Sequence, residues 1–150
     1  MDAVTYPDAN VADFLMKNII PLRVPFDSKP LSIDFNIKWT PTLITLDAAG
    51  NEHHRIVGFV GPDEFIPAML LGIGKVYFET DRFDMAMTNI EKIFKAYPNS
   101  PVVPEAIYIM GICRYKSTHD PKSLKEAYER LKGLFPDNEW TKRAYPYRLL

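Results

Sequence analysis

Residues 36–60 read Asn-Ile-Lys-Trp-Thr-Pro-Thr-Leu-Ile-Thr-Leu-Asp-Ala-Ala-Gly-Asn-Glu-His-His-Arg-Ile-Val-Gly-Phe-Val, and the fold of the first half turns on them. Leu43 to Leu46 is an apolar run of strand length, and Glu52 to Val60 is a second strand. Between them, Asp47-Ala48-Ala49-Gly50-Asn51 has the Asp and Gly of a tight antiparallel connection, with Gly50 free to take the positive φ such a turn needs. Thr40-Pro41-Thr42 stands just before the first strand, where proline has no N–H for a ladder and a cis bond is open to it.

Working outward, Asn10 to Asn18 reads as a short helix with Asn10 as its N-cap and with Val11, Phe14 and Leu15 on one face. Ile19-Ile-Pro-Leu-Arg-Val-Pro25 follows as an extended segment whose Pro21 fits an edge or a strand start. Leu31 to Phe35 is a helical turn. Gly61-Pro62-Asp63-Glu64-Phe65 opens a longer helix, with proline where its missing N–H costs nothing.

This order resembles the second half of a thioredoxin domain, over about residues 1–72. The most specific element is the Trp39-Thr40-Pro41-Thr42 loop with Gly50 and Gly58 behind it, and Met1 to Asp8 matches the tail of the preceding helix and its loop. The resemblance implies a cis Thr40–Pro41 bond and a peptide-binding loop formed by Trp39, Thr40 and Pro41. Taken alone, Trp39 reads first as a packing residue, because Trp is largely buried on average. Family members carry a Cys-x-x-Cys pair beside this loop, whereas this chain has one cysteine, Cys113. In the family a central strand lies between those matching residues 19–25 and 42–46. Its absence points to a sequence that starts at an internal Met. It also points to unpaired edges, hence either a homodimer through the incomplete sheet or reduced stability.

From residue 68 onward a helical period takes over. Phe83, Ala86, Ile90, Ile93, Phe94 and Tyr97 lie on one face, and Leu124, Tyr128, Leu131 and Phe135 repeat that spacing 38 positions later. Both helices end at proline, in Tyr97-Pro98 and Phe135-Pro136. Gly74 and Gly111 recur at 37, and Ala106 and Ala144 at 38. An internal repeat of this length made of paired helices stacks into an array. The pattern resembles tetratricopeptide repeats, with two units and the start of a third from Asp137 to Ala144 acting as a cap. That resemblance implies a concave groove lined by Phe78, Tyr108 and Tyr115, although core packing is at least as good a reading of each singly. A helix over residues 62–80 is expected to be shared by both parts.

Composition narrows the function. The formal net charge is −1, so no excess of Lys and Arg suggests nucleic acid. The longest apolar run, Phe65 to Ile73, is broken by Pro67 and Gly72 and falls short of a membrane span. Cys113 beside Gly111 reads as a buried, inert thiol. A lone cysteine forms no internal disulfide, so nothing suggests an extracellular scaffold and a cytoplasmic location is expected. His53 and His54, consecutive on a strand, point to opposite faces and cannot share a metal, and His119 is in a distant loop. Asp81, Asp84, Glu91, Lys92 and Lys95 form a solvated helix face.

The expectation is therefore an α/β plus all-α protein. An incomplete thioredoxin-like sheet with flanking helices occupies residues 1–66, and a short tetratricopeptide-like array with a C-terminal capping helix occupies 67–150. The expected function is non-catalytic binding of another polypeptide, without cofactor or metal. The alternative is the major part of a thiol–disulfide oxidoreductase whose cysteine pair lies upstream of Met1. The chain as given lacks the attacking and resolving thiols that exchange requires.

Overall fold

Thr42–Leu46 and Glu52–Val57 do form an antiparallel hairpin, and these two strands (β1 and β2) are the whole sheet in a computed structural model that describes residues 1–150. Seven α-helices accompany it: α1 Ala9–Asn18, α2 Leu31–Asp34, α3 Pro62–Glu79, α4 Phe83–Ala96, α5 Val103–Thr118, α6 Lys122–Leu134 and α7 Glu139–Ala144. A 3-10 helix, Tyr145–Leu149, closes the chain. The chain divides into two units, Met1–Ile66 and Pro67–Leu150, and α3 begins in the first and ends in the second.

In the first unit, Met1 O accepts the backbone N–H groups of Val4, Thr5 and Tyr6 and so folds the N-terminus into a turn. Asp8 caps α1, its Oδ1 accepting from Asn10 N at 2.9 Å and Val11 N at 3.1 Å. The cap is thus two residues earlier than the sequence suggests. Asn10 is already helical, and Asp8, still extended just before the first turn, points its carboxylate at that turn's free N–H groups. The buried core here is small. Val11 and Phe65 are its large apolar members, and buried Thr5 donates its hydroxyl to Val60 O at 2.6 Å. Tyr6 meets Phe65 edge to face at 6.0 Å.

Residues 19–25 correct one expectation, since they form no strand. Ile20 is 95% and Leu22 79% exposed. An extended run becomes a strand only when a neighbour completes its ladder, and here Pro21 and Pro25 also remove two donors from one edge. The second strand ends at Val57, because Gly58 takes φ +106 and turns the backbone out of the sheet.

In the second unit the 38-residue period is written into the backbone as well as the side chains. Asp81 (φ 57) after α3 and His119 (φ 58) after α5 both turn left-handed between paired helices. Tyr97 (φ −134, ψ 53) and Phe135 (φ −138, ψ 57) close α4 and α6 in the same conformation, their N–H groups donating to Ile93 O and Leu131 O. Thr80 and Thr118 each return a hydroxyl to the carbonyl four residues back, Val76 O and Arg114 O. Glycines set the close helix approach within each pair. A Cβ on Gly74 would come within 3.2 Å of the Ile90 side chain, and one on Gly111 within 2.5 Å of Ala127 Cβ. Ala86, Ile90, Ile93, Ala106, Ile107, Met110, Cys113 and Leu131 fill the interior. Lys75 and Glu105 tie α3 to α5 at 2.7 Å.

Candidate functional site

The loop ahead of β1 is held from three sides. Thr42 Oγ1 donates to Trp39 O at 2.7 Å, closing the loop on itself. Gly58 N donates to Pro41 O at 2.8 Å, joining the loop to the far end of β2. Arg55 donates from Nη2 to Phe35 O at 2.7 Å while its Nε and Nη2 grip both oxygens of Glu52. That fork holds the Glu52 carboxyl below the usual carboxylate range, the hydrogen bonds from Arg55 being the main cause. The Thr40–Pro41 bond is cis. Trp39 is 69% exposed and stacks on no other ring, so it is a surface residue and fills no core. Val57, the last residue of β2, and Phe59, just beyond it, are also exposed, as are Ile33 and Phe26.

The other end of the hairpin is built on Asp47. Its Oδ1 accepts from Ala49 N and Asn51 N, both at 2.9 Å, and its Oδ2 from Asn51 Nδ2 at 2.9 Å. His53 Nε2 lies 3.2 Å from the same Oδ2. These hydrogen bonds, those from Asn51 foremost, hold the Asp47 carboxyl far below its ordinary value. The Asp-to-Gly spacing in the loop marks the turn in the sequence, but not the reach of one carboxylate over four partners.

The hydrogen-bond parity of β1 follows from its two ends. Pro41 O receives Gly58 N, and Asp47 N donates to Asn51 O, so odd-numbered residues face β2. The irregularity between Thr45 and Leu46 adds its extra residue on β2, leaving β1 in step. Thr42, Ile44 and Leu46 therefore turn their N–H and C=O groups to the outer edge, where no other strand pairs with them. The alternation of Thr-Leu-Ile-Thr-Leu reports side-chain faces and gives no sign of this free edge.

The three groove positions expected in the helical unit have separate surroundings. Phe78 lies 6.3 Å from Phe83. Tyr108 packs on Trp140 at 5.2 Å and Tyr147 at 6.0 Å, with its hydroxyl 3.2 Å from that of Tyr147. Burial, then this hydrogen bond, pushes the Tyr147 phenol up. Tyr115 faces His119 at 6.4 Å. All three are half-buried, and none stacks on another. Cys113 is fully buried, and burial raises its thiol to about 12, which leaves no thiolate at neutral pH. No cluster of three or more His, Cys, Asp or Glu is placed to hold a metal ion. No helix is long and apolar enough to cross a membrane. No protein-family model matches the chain, and no curated protein matches it.

Proposed function

We propose that the chain is a non-catalytic binding module that engages another polypeptide through the hairpin and its leading loop. The observation that carries this reading is the exposure of Trp39, Val57 and Phe59 around one tied-down loop, with the free edge of β1 beside it. Large apolar side chains gathered on a braced surface, next to unpaired backbone donors and acceptors, suit an extended peptide that takes main-chain hydrogen bonds and drops side chains onto the aromatics. Thioredoxin-like ancestry of the first unit is part of the proposal. It is supported by the element order from α1 through the hairpin to α3. A tetratricopeptide-like origin of the second unit is supported by paired helices that repeat their turns and glycine contacts at about one period. In that frame Phe78 and Tyr115 remain candidate groove contacts, while Tyr108 is already engaged by Tyr147 and Trp140.

The test is a screen of the intact protein against a synthetic library of extended peptides, followed by calorimetry on the binders. Trp39→Ala should weaken binding by about thirty-fold, as expected for a central aromatic anchor, while leaving the helical content unchanged. An absence of any binder, or binders indifferent to both Trp39→Ala and Phe59→Ala, would overturn the reading.

A further inference from the structure

The outer edge of β1 has three properties that together select its occupant. First, Thr42, Ile44 and Leu46 present a continuous run of outward N–H and C=O groups. Second, Thr42–Leu46 carries no charge and no proline, and the bulge next to it lies on β2. Native edges are ordinarily blunted by such features, and a bare two-stranded hairpin is marginal by itself. Third, the strand is bracketed by opposite charges, Lys38 before it and Asp47 after it. A neutral strand with a cation at one end and an anion at the other is complementary to its own antiparallel copy.

We infer that β1 pairs with β1 of a second copy of this chain, antiparallel, across a two-fold axis at Ile44. Ile44 then faces Ile44 of the partner subunit, and Thr42 faces Leu46 of the partner subunit. Every one of these residues has the outward parity, so the register closes without a slip. Each such pair exchanges two bonds, giving on the order of six main-chain hydrogen bonds and one four-stranded sheet. The axis brings the Asp47 turn of each copy toward the Lys38 end of the other. Two-fold pairing is also the closed, self-limiting use of an open edge, in contrast to head-to-tail addition. The inference rests on the binding reading and names a second copy as the occupant of the hairpin edge, so a peptide would bind the exposed Trp39 and Phe59 surface of the dimer or compete with self-pairing for the edge. Its test needs no peptide, so either can fail without the other.

Sedimentation of the intact protein over a dilution series tests it. Ile44→Pro removes an N–H that points away from β2, so the hairpin ladder stays whole while the dimer edge loses its centre. Ile44→Ala shortens the same side chain and keeps the donor. The expected result is a wild-type dimer, a dimer retained in Ile44→Ala, and a dissociation constant raised at least about ten-fold in Ile44→Pro. Ile44→Lys supplies a second route, because it sets like charges against each other at the axis. It should dissociate the dimer at low salt and recover it in part at high salt. A wild-type protein that stays monomeric throughout, or an Ile44→Pro variant that dimerises like wild type with its hairpin amides still protected, would overturn the inference. Should Ile44→Pro fail to fold, the salt response of Ile44→Lys decides: a dimer unaffected by the charge sinks the idea.

Discussion

The two units treat apolar side chains in opposite ways. Of the exposed large hydrophobic residues, twelve lie in the first unit and five in the second, while nearly all the buried apolar residues lie in the second. The helical unit satisfies itself through neighbours in sequence, since each helix packs on the next and an α-helix pairs its interior backbone groups within itself. The first unit contains a hairpin and an extended run, and these need partners that lie elsewhere. Stability is therefore concentrated in one unit and unfilled binding capacity in the other.

The sharpest way to break this comparison is to shorten one leucine in each unit. Leu131→Ala empties a fully buried position and should cost about 2–5 kcal/mol in denaturant unfolding. Leu22→Ala, at an exposed position, should change stability by no more than about 0.5 kcal/mol. Equal costs would mean that the extended segment is packed after all.

A smaller effect probes the helix pairs. Gly111→Ala would push a methyl into Ala127 and should destabilise by about 1–3 kcal/mol, the usual cost of overpacking. Gly133→Ala meets nothing within 4 Å. It should instead stabilise by up to about 1 kcal/mol through helix propensity, less so because it lies in the last turn of α6. Thermal melts of the two variants should shift in opposite directions.

The mildest test concerns pH and the hairpin. The folded Asp47 carboxyl titrates below its unfolded value, so its contribution is fully present above the unfolded pKa of about 4. It is lost as pH falls through the folded value. Protection factors of the Ala49 and Asn51 amides, taken relative to the intrinsic exchange rate at each pH, should fall on acidification below that range, and Asp47→Asn should remove most of the acid sensitivity. Protection that is flat down to strong acid would show that Asp47 is not the hub of the turn.

How much of this could be read in the sequence differs between the units for the same physical reason. The faces of α4 and α6 were legible because Ile90, Ile93, Tyr128 and Leu131 interact with residues close by, and proline marks each end. The turn at Asp47 to Asn51 was legible because Asp and Gly carry specific backbone chemistry. Residues 19–25 read as a strand segment and are none, since alternation records what side chains favour and cannot supply the adjacent ladder. The covering of Tyr108 by Tyr147 escaped for a related reason, and the exposure of Trp39 was implied by the resemblance of its loop while the residue type alone read as packing. Both depend on where a distant piece of chain comes to rest, and neither residue differs in type from one found in a core.

The exposed stretch after α1 also decides where this protein would first be cut. Between Pro21 and Pro25 no backbone group hydrogen-bonds within that stretch; Pro25 O alone is engaged, by Ser28 N, and Arg23 lies in the middle, exposed and held only by Asp2 at 2.8 Å. A trypsin-like protease needs several residues of unpaired chain to lay along its own cleft, and this stretch offers them ready-made. Lys29, a few residues on, is shielded because Pro30 follows it. A single nick at Arg23–Val24 would leave every hydrogen bond of the hairpin and of the helical unit in place, so digestion would proceed as one early, discrete step, with helical content retained.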